Sequence, residues 1–156
     1  MAVMSDHDVL NRPTFTEVYM RLARALAERS SCRRLAAGCA IVSGDYRQVL
    51  AVGYNGNAAG LPNDCDHDAP ACGCLHAEEN AVIHCAAPRT TPKVVLCTNL
   101  PCPMCAKRLI NLGGVVRVVY DQDAKDRTGV AFLERADIQV VSMAALPSMH
   151  ADPHTP

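Results

Sequence analysis

The chain has 156 residues, of which 49% are hydrophobic and 20% charged, and its formal net charge is -1. This length and composition suit one compact domain with a hydrophobic core, and no stretch reaches the roughly 20 apolar residues of a membrane span. The charge balance argues against stable nucleic-acid binding, which depends on clustered lysine and arginine, but it allows a small phosphorylated substrate.

The first predicted element is a helix that follows an irregular N-terminal segment, residues 1–13. Thr14 and Glu17 form the Thr-x-x-Glu pattern of a capping box, which marks a helix start. The helix is expected to end near Ser30. Its apolar residues recur at helical spacing and predict the buried face: Val18, Leu22, Ala25 and Leu26.

Strands and helices alternate in the prediction for the rest of the chain. Two strands, 38–43 and 48–54, are joined by a turn around Gly44 and Asp45 and precede a long irregular segment, 55–75. Loops of this length are usually functional or held in place by another group. The later elements are a helix at 76–87, a strand at 93–98, a helix at 102–112, a strand at 115–120, a helix near 127–135 and a strand near 138–142. This order predicts a layered α/β domain over residues 14–142, followed by a mobile tail, 143–156.

Nine cysteines are the unusual feature of the composition. The polar N-terminus lacks the apolar segment of a secretory signal, so we expect a cytoplasmic protein with reduced thiols. In that setting, clustered cysteine and histidine indicate metal ligands. Isolated cysteines in apolar runs are instead expected to be small core residues, as for Cys39, Cys85 and Cys97.

Two short motifs predict a catalytic metal site, and each opens a predicted helix. The first is His76-Ala77-Glu78, and the second is Pro-Cys-Pro-Met-Cys, with Cys102 and Cys105 separated by two residues. This spacing lets both thiolates face one metal ion, and a helix N-terminus favours thiolate over thiol. One histidine and two thiolates leave the fourth tetrahedral position open, as in catalytic zinc sites.

Glu78 is the predicted proton carrier of this site. Zinc lowers the pKa of a water in the open position toward about 7, which produces a nucleophile for an electrophilic ring carbon. A carboxylate beside the metal can take a proton from water, give one to a ring nitrogen and protonate a departing amine. The pair of motifs is a signature of zinc-dependent deaminases. The alternative is a structural zinc knuckle, or His76 and Glu78 as ordinary surface residues.

Several blocks of the sequence resemble deoxycytidylate (dCMP) deaminases, and also the deaminase-like proteins of bacterial late-competence operons. They lie at 30–34 and Gly38, at Gly-Tyr-Asn-Gly in 53–56, at 76–81, at 101–105 and in the strand ending at Tyr120. The resemblance implies the cytidine deaminase-like fold, a three-layer α/β/α sandwich with a central mixed sheet. It also implies zinc-dependent hydrolysis of dCMP to dUMP and ammonia in pyrimidine deoxynucleotide metabolism.

The same resemblance implies assembly and regulation. Many family members form homohexamers, bind dCTP with Mg²⁺ as an activator and bind dTTP as an inhibitor. Phage members carry an arginine after the His-Ala-Glu helix at a subunit contact, whereas this chain has Ala-Ala-Pro at 86–88 and its nearest arginine at Arg89. That difference leaves the hexamer geometry and the response to effectors open.

A second, structural zinc is also implied. In some phage dCMP deaminases it is bound at the positions of Cys32 and Cys65 and two residues before the catalytic histidine, where this chain has Cys74. Cys72 is the expected fourth ligand, with His67 as the alternative. A closed site of this kind would fix the 55–75 loop and contribute folding energy. Alternatively the thiols are free, because only one residue separates Cys72 from Cys74.

The sugar and base contacts are assigned by the resemblance. The Gly-Tyr-Asn-Gly block lies beside the sugar and phosphate in the family, which implies that Asn55 contacts the deoxyribose. Gly53 and Gly56 would let the backbone approach a ligand closely, although Asn-Gly also suits a plain turn. The remaining substrate-side candidates are Ala77, Thr98, which would line the substrate edge, and Tyr120, which suits either a wall of the base site or the core.

The phosphate candidates are basic residues near these motifs. Arg34 is preferred, because an arginine can hold a phosphate by two hydrogen bonds. The others are Arg33, Lys107 and Arg108, and each alone also suits a solvated surface position.

Other functions fit part of the pattern. Deaminases of dCTP, guanine, a free nucleoside or tRNA adenosine share the zinc motifs, although the lack of a basic excess disfavours the tRNA enzyme. A single-strand DNA editor is disfavoured because the chain has two Phe and no Trp for base stacking. A non-catalytic, zinc-stapled nucleotide sensor belongs to a different class. Glu78 separates the two classes, because a sensor needs no carboxylate beside an open metal position.

Overall fold

The structure, a computed structural model, describes residues 12–68 and 71–146. Most of the predicted N-terminal segment and of the predicted tail lie outside these residues. The elements are α1 (Phe15–Ala27), β1 (Gly38–Ser43), β2 (Val49–Tyr54), α2 (Ala77–His84), β3 (Lys93–Asn99), α3 (Pro103–Leu112), β4 (Val115–Gln122), α4 (Thr128–Arg135), β5 (Gln139–Ser142) and a 3-10 turn, Met143–Ala145. Within the described ranges, no helix has the length and apolar character needed to cross a bilayer.

The five strands form one mixed sheet in the order β2-β1-β3-β4-β5. β1 runs antiparallel to both β2 and β3, while β3, β4 and β5 are parallel. Successive residues of a strand point to opposite faces, and both faces of this sheet are covered. Met20 of α1 packs with Val42 and Leu96 on one face. Residues of the other three helices, including Leu109, pack with Ile41 on the other face. The predicted three-layer α/β/α fold is therefore confirmed.

Helix α1 begins as predicted but buries a different face. The capping box is present, since Thr14 Oγ1 accepts from the N–H of Glu17 at 3.1 Å and the Glu17 carboxylate accepts from the N–H of Thr14 at 2.7 Å. The predicted face is wrong: Val18 is 42% exposed, and the buried residues are Thr16, Met20, Ala23 and Ala27. Ala23 and Ala27 suit the buried face because β1 lies close against the helix backbone at these two residues. A Cβ on Gly38 would stand 1.9 Å from the carbonyl oxygen of Ala23.

Several predicted boundaries differ from the structure, among them the end of α1, which is at Ala27 rather than near Ser30. α2 ends at His84 rather than 87, and Cys85 already has an extended backbone. The residue before a proline disfavours the helical conformation, so Pro88 opposes continuation of the helix. The start of the predicted mobile tail is ordered, because Met143 and Leu146 pack against the α1 face of the sheet.

The three cysteines expected in the core lie where predicted. Cys39 and Cys97 are opposite each other on β1 and β3, with their Sγ atoms 3.8 Å apart, and both are buried. Cys85 is half-buried and packs against the same cluster. These thiols therefore serve as small apolar side chains.

Lys93, at the start of β3, is fully buried. Its ammonium group donates to three backbone carbonyl oxygens, those of Pro88 at 2.7 Å, Thr91 at 2.9 Å and Gly113 at 3.0 Å. A buried charge requires such partners, because desolvation is otherwise costly. Lys93 therefore ties the loop before β3 to the end of α3.

Substitution of Lys93→Met is expected to lower the free energy of unfolding by about 2 to 3 kcal/mol. The methionine fills similar space, but the carbonyls of Pro88, Thr91 and Gly113 all lose a charged donor, at a cost of about 1 to 3 kcal/mol each, and this loss is partly offset because no charge then has to be buried. Urea denaturation measures the change. The matched control is Lys107→Met, since Lys107 is exposed and its ammonium lies 5.1 Å from the Phe132 ring centre. The control should lose no more than about 1 kcal/mol. Equal stability of the two variants would contradict the role given to Lys93.

Candidate active site and metal centre

Two helix N-termini bring the first set of candidate ligands together. His76 is the N-cap residue of α2, and Cys102 is the N-cap residue of α3, with Pro103 at the first helical position. Proline suits that position because its missing N–H is not needed there. Cys105 follows one turn later, and its N–H donates to Cys102 Sγ at 3.4 Å. The sequence motifs therefore place all three side chains at one point.

The separations of these ligand atoms fit a tetrahedral zinc ion. His76 Nδ1 lies 3.6 Å from Cys102 Sγ and 3.3 Å from Cys105 Sγ. Zinc–sulfur and zinc–nitrogen bonds of ordinary length at a tetrahedral angle require about 3.6 Å between such atoms. One nitrogen and two sulfurs also form a ligand set that zinc prefers, so these residues suit that metal.

The protonation of the three groups is strongly linked. The pKa of Cys102 falls to about 3, because hydrogen bonds from Cys105 and His76 stabilise its thiolate. The pKa of Cys105 rises, first because of its hydrogen bond with Cys102 and then because of burial. The pKa of His76 is raised, chiefly by its hydrogen bond with Cys102. The Cys102 thiolate thus places one negative charge at the cluster, while Cys105 must lose its proton when a metal ion binds.

Glu78 is the second residue of α2, two residues after His76, and it is 7% exposed. Burial raises the pKa of its carboxyl group above the ordinary value, while hydrogen bonds from its own N–H and from Cys105, together with the nearby His76, oppose the rise. Glu78, Ala77, His76 and Cys102 all line one cavity of about 900 Å³. The cavity therefore gives a ligand direct access to the cluster and to the carboxylate.

A second cluster consists of four cysteines, Cys32, Cys65, Cys72 and Cys74. The Sγ–Sγ distances are 3.7 Å from Cys32 to Cys72, 3.8 Å from Cys32 to Cys65 and 3.7 Å from Cys65 to Cys74. Four thiolates around a tetrahedral zinc stand about 3.8 Å apart. Among the described residues the side chain of His67 does not join this group, and only its backbone N–H bonds to the carbonyl of Cys72. The geometry therefore favours Cys72 over His67.

A short turn connects the two clusters. Gly73, with φ +81°, allows Cys72 and Cys74 to face the same point, although only one residue separates them. Leu75 forms a two-bond backbone bridge with Gly56. His76 follows directly. The 55–75 loop is thus held by the bridge next to His76, and its three cysteines converge with Cys32 at one point.

The Gly-Tyr-Asn-Gly block supports the cavity wall in a way the sequence did not reveal. Asn55 is buried and lines the cavity. Its Oδ1 accepts from the N–H of Ala37 at 2.8 Å, and its Nδ2 donates to the carbonyl of Leu35 at 2.6 Å. Gly53 does not make room for a ligand as expected: a Cβ there would stand 2.2 Å from the carbonyl oxygen of Ala77, so its space is filled by α2.

The four phosphate candidates lie in different parts of the structure. Arg34 lines the cavity. Arg33 belongs instead to the cysteine loop, where it pairs with Asp64 at 2.9 Å and its N–H contacts Cys65 Sγ. Lys107 and Arg108 lie in a different groove between α2 and α3, outside the cavity lining. Of the four, only Arg34 is among the lining residues of the cavity that contains Glu78.

Two other substrate candidates lie behind the cavity wall. Thr98 is buried, accepts from the N–H of Gly38 at 3.0 Å and donates to Asn99 Oδ1 at 2.8 Å. Tyr120 is buried with Leu100 and falls in the core, one of its two predicted roles. Neither is among the lining residues, whereas Asn99, which the sequence did not single out, is. Asn99 lines the cavity and Thr98 does not, because neighbouring residues of a strand face opposite sides of the sheet.

Residues 13–122 match the family model of the cytidine and deoxycytidylate deaminase zinc-binding region. The chain is 32% identical over 152 residues to a deoxycytidylate deaminase of Schizosaccharomyces pombe, a match that covers 85% of this chain and 46% of the yeast protein. It is 31% identical over 131 residues to a deoxycytidylate deaminase of Mycobacterium phage D29, covering 74% of this chain and 100% of the phage protein. The chain therefore spans about half the length of the yeast relative and the full length of the phage relative.

A solved structure has the same fold. The dCMP deaminase of cyanophage S-TIM5, in complex with dCMP and dUMP, matches with a TM-score of 0.73 and 27% identity, covering 90% of this chain and 100% of the phage chain. These matches confirm the resemblance carried by the sequence motifs. The chain belongs to the cytidine and deoxycytidylate deaminase zinc-binding family.

Proposed function

We propose that this chain catalyses the zinc-dependent conversion of dCMP and water to dUMP and ammonia. The observation that carries the proposal is the placement of a buried carboxylate, Glu78, beside the His76, Cys102 and Cys105 cluster at a cavity wall. Proteins named deoxycytidylate deaminases match over most of the chain, which supports deoxycytidylate as the substrate.

His76, Cys102 and Cys105 would hold the zinc ion. Bound zinc supplies a Lewis acid that makes water nucleophilic at neutral pH. Glu78 accepts the proton that the water loses and delivers it to the ring nitrogen N3, which makes C4 of the cytosine more electrophilic. As the water oxygen bonds to C4, the Glu78 carboxylate takes the remaining proton of that new hydroxyl group and passes it to the exocyclic amine, so that the C4–N bond breaks, ammonia leaves and a carbonyl remains at C4. Burial raises the pKa of the Glu78 carboxyl group, which makes its carboxylate a stronger base for the proton that the water loses.

Asn55 and Arg34 are the proposed sugar and phosphate contacts. Both line the cavity that contains Glu78. The carboxamide of Asn55 has further donor and acceptor capacity besides its bonds to the 35–37 backbone, which leaves it able to meet a sugar hydroxyl. Asn99 joins them as a cavity-lining polar residue.

Substitution of Arg34→Met is expected to raise KM for dCMP by about 10- to 100-fold and to leave KM for deoxycytidine unchanged. A hydrogen bond to a charged group is worth about 1.5 to 3 kcal/mol, and deoxycytidine lacks the phosphate. Steady-state ammonia release on both substrates measures the split. The matched control is Arg33→Met, whose native side chain pairs with Asp64. Equal changes of KM for the two substrates would show that Arg34 does not bind the phosphate.

The alternative substrates are separated by the same assay. Ammonia release is compared for dCMP, dCTP, deoxycytidine, guanine and a tRNA adenosine substrate. We expect dCMP to have the highest kcat/KM. Preference for guanine or the free nucleoside would refute the phosphate site while leaving the zinc chemistry intact. Zinc binding without turnover on any of them would favour the nucleotide sensor.

We also propose a structural zinc at Cys32, Cys65, Cys72 and Cys74. Support comes from the tetrahedral spacing of the four sulfurs and from the pKa of Cys72, which hydrogen bonds led by the Cys74 N–H lower to about 7. A closed set of four thiolates suits a structural rather than a catalytic ion. Arg33 next to Cys65 would offset part of the negative charge.

Homohexamer assembly, activation by dCTP with Mg²⁺ and inhibition by dTTP are carried as proposals from the family resemblance. Light scattering measures the mass of the assembly with and without these nucleotides. A mass of six chains and opposite effects of the two nucleotides on KM would support them. A monomer with unchanged kinetics would refute both the assembly and the regulation.

A further inference from the structure

Glu79 follows the proposed proton carrier in the chain, and its carboxylate bonds at once to a backbone group of α2 and to a side chain of α3. Its Oε2 accepts from the backbone N–H of His76 at 3.2 Å, and its Oε1 pairs with Nη2 of Arg108 at 2.8 Å. The side chain of Glu79 is only 16% exposed, and that of Arg108 is 37% exposed. Partial burial makes the pair stronger than a solvated surface ion pair.

The ion pair joins the same two helices that carry the ligands. On α2, Glu79 lies three residues after His76, and on α3, Arg108 lies three residues after Cys105. Residues three apart on a helix share a face. α2 and α3 can therefore be connected at two neighbouring levels. At the first level a metal ion would bridge His76 and Cys105, and at the second level the Glu79–Arg108 ion pair connects the helices directly.

This arrangement has a consequence for metal binding. Without a fixed separation of the helices, the metal would have to order His76 and Cys105 as it binds, and the entropy of that ordering would weaken its affinity. The Glu79 bond also restrains the backbone of His76 at the start of α2. Partners that orient ligands in this manner typically change metal affinity about 10- to 100-fold.

We propose that Glu79 and Arg108 form a clasp that presets the separation of His76 and Cys105 for zinc. They are positioning residues, and neither is a ligand of the metal in this role. The proposal rests on the proposed function, because it takes the His76, Cys102 and Cys105 cluster as the zinc site.

The test is the affinity of the purified full chain for zinc, measured by competition with a chromogenic chelator. Glu79→Ala is expected to weaken the zinc bound at the His76 site by about 10- to 100-fold. Arg108→Met should weaken it in the same direction, and the double variant should be no weaker than Glu79→Ala alone, because both substitutions remove one interaction. Glu79→Gln keeps an acceptor for the His76 N–H and should lie between wild type and Glu79→Ala.

Two controls make the result specific. Arg24→Met removes a comparable ion pair, in which Arg24 Nη2 lies 2.8 Å from Asp121 and the side chains are 51% and 17% exposed, but this pair joins α1 to β4. The Arg24→Met variant is expected to lose some stability but to keep the zinc affinity of the wild-type chain. Cys102→Ala removes the His76 site and identifies the zinc that belongs to the four cysteines.

The outcomes separate the clasp from the proposed function. Wild-type zinc affinity in both Glu79→Ala and Arg108→Met would overturn the clasp, as would an equal loss of affinity in Arg24→Met. If Cys102→Ala binds as much zinc as the wild-type chain, the zinc site itself is wrong. Recovery of turnover by the Glu79→Ala variant at saturating zinc would support a role in metal binding rather than in proton transfer.

Discussion

Replacement of Glu78 by glutamine is expected to lower kcat for dCMP deamination by about 10²- to 10⁴-fold. Glutamine has nearly the same shape and can still accept hydrogen bonds, but it cannot accept and return a proton. Because Glu78 is buried beside the metal cluster, bulk water cannot easily replace it as proton carrier. Stopped or coupled assays of ammonia release at saturating dCMP measure the change.

The zinc content of the same samples gives the prediction its specificity. Glu78 is not among the three residues whose ligand atoms converge, so its substitution should leave the bound zinc in place. Glu134→Gln on α4, an exposed position, makes the same chemical change away from the site and should keep full activity. Substantial turnover by the E78Q variant, with zinc present, would show that another group moves the protons.

Substitution of Cys65→Ser is expected to remove one zinc per chain and to destabilise the fold by at least about 3 kcal/mol. Serine keeps the size of the side chain but is a poor ligand for zinc, and the 55–75 loop then loses its attachment to Cys32, Cys72 and Cys74. For a chain of this length the loss corresponds to a fall in Tm of about 6 to 12 °C. Mass spectrometry of the metal content and thermal unfolding measure the two effects.

The matched control for this change is Cys85→Ser. Cys85 is half-buried and lies in neither cysteine cluster. It should retain all bound zinc, with only the smaller loss of stability that a hydroxyl in a partly apolar site causes. An unchanged zinc content in Cys65→Ser would contradict the structural zinc and leave the four cysteines as free thiols.

Local sequence patterns predicted the parts of this molecule that depend on local chemistry. The capping box of α1, the alternation of strands and helices and the two metal motifs each involve residues close in the chain. Cys32 is the exception: its place in the second cluster came from the family resemblance, because no local spacing relates it to Cys65 or Cys74. The structure brings the three sulfurs together through the 55–75 loop.

The missed features depend on contacts between distant elements. The buried face of α1 is set by how closely Gly38 of β1 approaches Ala23, and hydrophobicity alone favoured the larger Val18. Gly53 was assigned to a ligand because its neighbouring helix was not visible in the sequence. Thr98 was a substrate candidate and Asn99 was not considered, because which residue of a strand end faces the cavity depends on the pleat of β3 within the sheet.

Three of the four basic phosphate candidates are absent from the cavity lining, for a related reason. Arg33, Lys107 and Arg108 are near the motifs in sequence, but Arg33 and Arg108 pair with Asp64 and Glu79, and Lys107 lies over Phe132. A basic residue can be assigned to a ligand only when its protein partners are known. The same pairing that removed Arg108 from the phosphate site gives it the role proposed in the clasp.

The most direct test of the central claim is conversion of dCMP by the purified chain, with and without dCTP and Mg²⁺. Chromatography measures dUMP, a coupled assay measures ammonia, and the metal content is determined on the same sample. We predict equal amounts of dUMP and ammonia, loss of turnover when zinc is removed by a chelator, and its return when zinc is restored. A folded, zinc-loaded chain that leaves dCMP unchanged under both conditions would contradict the proposed function.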